Sequence, residues 1–287
     1  MNDPLPPAFL VGLIGSGIQA SRTPAMHERE GAEQGLRYVY KLIDLAALNL
    51  GPEALPELLT AAERMGYNGL NVTFPCKQAI IPLLHELSED ARALGAVNTV
   101  VLKNGQRIGH NTDSSGFAEG FRRGLPDVKR DRVVQVGAGG AGSAVAHAAL
   151  KLGVGHLTVI DTDRGKAEQV AGDLRERFGD DRAVAGTDLA AAMATAEGVI
   201  NTTPVGMAKI PGTPVPPELL RPELWVAEII YFPLETELLK NARARGCRTL
   251  DGGGMAVFQA VEAFRLFTGI TPDAERMQRH FASMGAG

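Results

Sequence analysis

"VVQVGAGGAGSAVAHAAL", residues 133–150, joins a β-branched run, a glycine cluster and a helical stretch of small apolar residues. Gly137, Gly139 and Gly142 form GxGxxG directly after the run and at the start of the helix. Such glycines allow a tight turn and let a pyrophosphate approach the backbone, while the helix N-terminus supplies amide donors. Gly137, Ala138, Gly139, Gly140 and Gly142 are therefore the candidate phosphate cradle. The next strand-like run, "LTVID", ends in Asp161, 24 residues after Gly137, where a carboxylate accepts from the adenine ribose hydroxyls. A glycine turn alone can serve packing; glycines, strand, helix and distal acid together point to a dinucleotide. A carboxylate at 161 suits the free 2′-hydroxyl of NAD and repels the 2′-phosphate of NADP. Arg164 keeps NADP open, because a guanidinium there could hold that phosphate, although it also reads as a solvated helix-face arginine or one packed on the adenine ring.

Outward from this segment the same rhythm continues. "LTVID", "AVAG", "GVINTTP", "WVAEIIY" and "RTLD" alternate with helical patterns, and "FLVGLIG", "YVYKLIDL" and "GLNVT" begin a similar series near the N-terminus. Strand, helix, strand at this spacing predicts right-handed crossovers and mostly parallel sheets covered on both faces. "VNTVVLKNGQRIGHNTD" reads as two strands around an Asn104-Gly105 turn. The fold class expected is α/β in two domains. An N-terminal α/β substrate domain covers 1–112, and a Rossmann dinucleotide-binding domain covers 113–253. The tail 254–287 returns to complete the first domain, since Val257, Val261, Phe264 and Phe267 form an apolar ladder after the Gly252–Gly254 break.

Composition excludes several classes of function. Of 287 residues, 45% are hydrophobic and 22% charged, and the net charge is -4 with no basic run, so neither nucleic acid nor an anionic membrane is an expected partner. No apolar stretch is long enough to span a bilayer, and "MNDPLPP" lacks the features of a signal peptide. Cys76 and Cys247 lie far apart and read as reduced thiols, which points to the cytoplasm. The six histidines show no metal-ligand spacing, so no metal is expected.

A dinucleotide fold does not name a substrate. Removing hydride from an alcohol requires a group to take the hydroxyl proton, and the first half offers Lys77, in "LNVTFPCKQAIIP", and Asp113, in "GHNTD". Lys77 stands at the start of a short helix, where the helix dipole slightly disfavours a cation, so helix stability does not account for it. Asp113 closes the strand before the dinucleotide segment. Each has a plainer reading, Lys77 as a solvated surface residue and Asp113 as a helix cap. Beyond the fourth strand of the second domain, Thr203, Pro204, Val205 and Met207, with Tyr231 and Gly254, are candidates to line the nicotinamide.

Across nearly its whole length the chain resembles the shikimate/quinate dehydrogenase family. The motifs are "LIGSGIQASRTPAMH", "GLNVTFPCK", "GAVNTV", "GHNTD", "VGAGGAG", "NTTPVGM", "IIYFPLETELL" and "GGMAVFQAVEAF", in the family's order. The resemblance implies that Ser21 and Thr23 bind a substrate carboxylate, that Asn71, Thr73, Asn98 and Gln259 hold ring hydroxyls, and that Lys77 and Asp113 are the catalytic pair. Ala20 replaces the family's usual histidine, Thr23 its second serine, and "DTDRGKAE" the arginine-bearing stretch of NADP-using biosynthetic members. These departures resemble the NAD-preferring quinate/shikimate branch.

The implied reaction is oxidation of the ring C3 hydroxyl of quinate or shikimate by NAD. An ammonium in water holds its proton at neutral pH, and a nearby carboxylate strengthens that hold, so the proton goes either to a desolvated Lys77 or to a Lys77/Asp113 relay. Alternatives are an aminoshikimate or related cyclitol dehydrogenase, the NADP-dependent biosynthetic shikimate dehydrogenase, and a non-catalytic NAD-binding regulatory module. The last has no use for a proton acceptor. Expected partners are the small-molecule substrate alone, with the chain acting as monomer or homodimer.

Overall fold

The alternating runs form two six-stranded sheets in a computed structural model that describes residues 5–284. One unit runs through Thr112 and resumes at Gln259; the other spans Asp113–Phe258. The division falls inside a single helix, Gly253–Thr268.

The first unit contains β1 (Ala8–Gly15), β2 (Arg37–Asp44), β3 (Gly69–Val72), β4 (Glu86–Leu87), β5 (Thr99–Lys103) and β6 (Gln106–His110), in the order β2-β1-β3-β5-β6-β4. β1 is parallel to both neighbours and β4 to β6, while β5 is antiparallel to β3 and to β6, so an antiparallel strand interrupts a sheet whose other pairings are parallel. The β5–β6 reversal is made by the turn. Asn104 and Gly105 both have positive φ, 53° and 73°, the geometry that closes a two-residue hairpin. One face of the sheet packs Ile14, Leu70, Val72 and Val100 against Leu45, Leu55 and Leu59. The other packs Val11, Leu13, Tyr38 and Tyr40 against Ala263, Phe264 and Phe267 of the tail helix. Helix Ala274–Ser283 is tied to helix Thr23–Glu33 by Arg276, which donates to buried Glu30 at 2.7 Å.

The second unit contains β7 (Arg132–Val136), β8 (His156–Ile160), β9 (Ala183–Ala185), β10 (Gly198–Asn201), β11 (Trp225–Glu228) and β12 (Arg248–Leu250), all parallel, in the order β12-β11-β10-β7-β8-β9. Alternate residues of β7 face opposite layers: Val133 joins the cluster with Leu157 and Ile200, and Val134 and Val136 join Val199, Leu238 and Leu239. The chain reverses its direction of winding between β7 and β10. Open α/β sheets bind ligands beyond the carboxyl ends of the strands at such a switch point.

Candidate active site

Gly137 leaves β7 at φ +106°, and a Cβ there would lie 2.6 Å from Thr202 Oγ1. Only glycine fits the turn. At Gly142 a Cβ would meet Gly137 O at 2.6 Å, so this glycine allows helix Gly140–Lys151 to pack against the loop. Gly139 and Gly140 differ. Both are exposed, and a Cβ at either meets no protein atom within 4 Å. Their smallness is not demanded by the protein's own packing, and it leaves the helix N-terminus open to a pyrophosphate. The dinucleotide therefore fits the loop. Buried Gln135 holds the loop from below, donating to Gly137 O and Gly142 O, each at 2.9 Å. Thr202 Oγ1 also donates to Gly137 O at 2.8 Å.

Asp161 stands one residue past β8, half-buried. Its Oδ2 accepts from Ala138 N at 2.7 Å and its Oδ1 from Asp163 N at 2.8 Å. Arg164 is exposed and donates to Glu168 at 2.7 Å. Lys166, the next cation, pairs with Asp163 at 3.6 Å. Both cations that follow β8 are thus paired with carboxylates, Arg164 with Glu168 and Lys166 with Asp163, while Asp161 accepts only from main-chain amides and Thr162.

Thr203, Pro204, Val205 and Met207 follow β10, with Met207 42% exposed. The loop is built around Asn201, whose Oδ1 accepts from Thr203 N and Thr203 Oγ1 at 2.9 and 2.7 Å. Asn201 Nδ2 in turn donates to both carboxylate oxygens of Glu228, at 3.0 and 2.9 Å, and to Val205 O at 3.2 Å. Glu228 ends β11, almost fully buried, and also accepts from Ile229 N, Ile230 N and Thr236 Oγ1. Burial pushes its carboxyl up to about 7 against these bonds. Glu228 was not among the sequence candidates; its signal is a lone acid inside the apolar run "WVAEIIY". Tyr231 is exposed just beyond it. Gly254 sits in a close helix crossing, where its added Cβ would lie 3.3 Å from Gly120 Cα, so packing uses this glycine.

In the first unit, Ser21 ends a loop held by Asp44. Gly17 N, Ile18 N and Gln19 Nε2 all donate to the Asp44 carboxylate, and Ser21 N donates to Ile18 O. The bond from Gln19, with those from the loop amides, keeps the Asp44 carboxyl below its usual range. Ser21 Oγ accepts from Thr23 N at 3.3 Å, and Thr23 opens helix Thr23–Glu33. Thr73 crosses over Gly15, where an added Cβ would meet Thr73 Cγ2 at 2.3 Å. Asn71 and Asn98 are buried and linked through Thr99. Asn71 Nδ2 donates to Thr99 Oγ1 at 3.0 Å, and Thr99 Oγ1 donates to Asn98 Oδ1 at 3.0 Å.

Lys77 is half-buried on the single turn Cys76–Ala79, which follows the cis Phe74–Pro75 peptide, and its main-chain carbonyl accepts from Val97 N at 2.8 Å. Asp113 is half-buried in the first turn of helix Thr112–Gly124, where the helix dipole favours a carboxylate. Gln259 is half-buried on the tail helix. The structure thus joins Asn71 and Asn98 in one network, with Thr73 two residues beyond Asn71. Among the described residues there is no cluster of metal-ligating side chains and no helix long and apolar enough to cross a membrane.

Residues 13–100 match the Shikimate dehydrogenase substrate binding domain, residues 252–280 the Shikimate 5'-dehydrogenase C-terminal domain, and residues 114–168 the ThiF family. A shikimate dehydrogenase (NADP(+)) of Streptomyces avermitilis is 58% identical over 279 residues, covering 96% of each chain. A quinate/shikimate dehydrogenase (NAD(+)) of Corynebacterium glutamicum strain R is 51% identical over 288 residues, covering 99% of this chain and all of the relative, 100%. Among solved structures, quinate dehydrogenase from Corynebacterium glutamicum in complex with NAD superposes with a TM-score of 0.92 at 50% identity, covering 96% of this chain and 99% of that one.

Proposed function

From the premise that the chain belongs to the shikimate dehydrogenase family, we propose that it oxidises the ring C3 hydroxyl of quinate or shikimate, with NAD as acceptor. The products are 3-dehydroquinate and 3-dehydroshikimate. In this reading Ser21 and Thr23 take the substrate carboxylate, their hydroxyls being good donors to an anion. Asn71, Thr73, Asn98 and Gln259 hold ring hydroxyls. As the C3 carbonyl forms, the hydroxyl proton passes to the Lys77/Asp113 pair. When bound, the nicotinamide supplies the hydride acceptor. Residues 1–112 with 254–287 serve the substrate and 113–253 the dinucleotide, in a cytoplasmic monomer or homodimer.

The observation that carries the cofactor choice is the charge pattern past β8. Asp161 and Asp163 follow β8, where the adenine ribose is expected, while Arg164 is drawn to Glu168. A 2′-phosphate would meet carboxylates, and Arg164 would have to leave its exposed pair with Glu168 to reach it. A second reading, NADP, is favoured by the Streptomyces relative's name.

Steady-state oxidation of quinate and of shikimate, each with NAD and with NADP, tests the reaction. Turnover with NAD on at least one substrate is expected; no turnover in any combination overturns the reading. Asp161→Ala should lower the preference for NAD over NADP by about tenfold or more, the value of a charge-assisted hydrogen bond. An unchanged ratio would show that Asp161 serves only Ala138 and Asp163.

A further inference from the structure

Amide oxygen and nitrogen look alike in shape, so the sense of a buried asparagine has to be deduced from its partners. Here one partner is unambiguous. The main-chain N–H of Thr112 lies 2.7 Å from Asn98 Oδ1, and a backbone N–H can only donate, so Asn98 presents its oxygen there. Thr99 Oγ1 lies 3.0 Å from that same oxygen and 3.4 Å from Thr112 Oγ1, and it donates its single proton along the shorter contact. With its proton spent, Thr99 Oγ1 must accept from Asn71, which therefore presents Nδ2 at 3.0 Å. The main-chain carbonyl of Asn98, 3.4 Å from Asn71 Nδ2, demands the same sense independently. Asn71 Oδ1 is then left facing Tyr40, whose hydroxyl donates to it at 2.7 Å. All five residues are buried, with Tyr40 6%, Asn71 and Asn98 each 4%, Thr112 1% and Thr99 0% exposed.

The chain of bonds leaves complementary valences. Asn71 Oδ1 has one lone pair beyond Tyr40. Asn98 Oδ1 is saturated by Thr112 N and Thr99, while its Nδ2 has one hydrogen beyond the bond to Thr112 Oγ1 at 3.0 Å. We propose that Tyr40 and Thr99 are positioning residues that set the polarity of substrate recognition, Asn71 accepting from a ring hydroxyl and Asn98 donating to one. This rests on the functional reading above, which makes Asn71 and Asn98 the hydroxyl readers. Neither Tyr40 nor Thr99 needs to touch substrate. Burial raises the Tyr40 phenol well above its ordinary range, so it remains a donor at every working pH. A group that both donates and accepts, a neutral hydroxyl, satisfies both readers; an ammonium in its place would meet the Asn98 N–H without a lone pair to offer.

Tyr40→Phe removes the donor that holds Asn71 Oδ1, and Thr99→Val removes the central link that holds both amides while keeping the side chain's shape. The substrate KM should rise by about tenfold in Tyr40→Phe and further in Thr99→Val, the cost of loosening one and two buried bonds. The KM for NAD and kcat should stay within about twofold of wild type on the same scale. Tyr38→Phe is the control, since the Tyr38 hydroxyl bonds to His27 and not to Asn71. Should Tyr40→Phe fail to fold, the Thr99→Val measurement decides. Folded variants with a wild-type substrate KM, or with substrate and NAD constants rising together, overturn the proposal. Wild-type turnover is measured first: its absence overturns the functional reading, whereas turnover with unchanged variants overturns only the positioning role.

Discussion

Lys77→Ala is expected to lower kcat by roughly 10²–10⁴-fold, the usual contribution of a positioned proton-transfer group, while the dissociation constant for NAD stays near wild type. One bond that fixes the Lys77 turn, from Val97 N to the main-chain carbonyl of residue 77, survives removal of the side chain. In the proposed reading the dinucleotide is held by other residues, among them the Gly137–Gly142 loop backed by Gln135 and Thr202. Lys77→Arg separates charge from proton transfer, because a guanidinium keeps the positive charge but does not give up its proton in proteins. It should remain as impaired in kcat as the alanine variant. Stopped-flow hydride transfer together with NAD binding by fluorescence checks both. Parallel losses of NAD affinity and kcat would mark Lys77 as structural.

The second large effect is a pair of opposed pH dependences of stability. Burial drives the His27 pKa from 6.5 down to about 3. Below pH 6.5 the unfolded chain binds a proton that the folded chain refuses, so this residue makes stability fall as pH falls. Glu228 does the reverse. With its pKa raised from 4.5 to about 7, the folded chain keeps a proton the unfolded chain has lost, and stability falls as pH rises between those values. Across the shared window, pH 4.5 to 6.5, each contributes about 3 kcal/mol with opposite sign, His27 to the first unit and Glu228 to the second.

His27→Phe keeps a ring against Tyr38, Tyr40, Phe264 and Phe267 and removes the first of these dependences. Relative to wild type it should gain about 3 kcal/mol on going from pH 6.5 to 4.5. Glu228→Gln should lose a similar amount over the same descent. Denaturant unfolding at the two pH values for all three proteins measures this. Three parallel profiles would show that neither group titrates as its burial requires.

Much of the nucleotide unit was legible because local signals and tertiary demands coincide there. The glycine spacing, the strand before it and the acid 24 residues on are all short-range features of one βαβ unit. The first sheet was less legible. Its hairpin announces itself at Asn104-Gly105, but β4 is two residues long and pairs with β6 only through the folded context. The supporting residues were hidden for a different reason. Tyr40 sits in an alternating strand where a buried aromatic reads as core, and nothing nearby in sequence shows that its hydroxyl reaches Asn71. Gln135 and Glu228 are single polar residues in apolar runs, a pattern that flags an interior bond without naming its partner.

The origin of the asparagine polarity in a main-chain N–H has a consequence for how this protein can change over generations. Any side chain may replace that of Thr112 without deleting the donor at its nitrogen; proline alone lacks it. A substitution at residue 112 therefore spares the donor that orients Asn98 Oδ1, while removing the buried hydroxyl that accepts from Asn98 Nδ2. A lineage, or a designer, seeking a different functional group on the ring would find the accessible change further along, at Thr99 or Tyr40, where one lost oxygen frees an amide to turn.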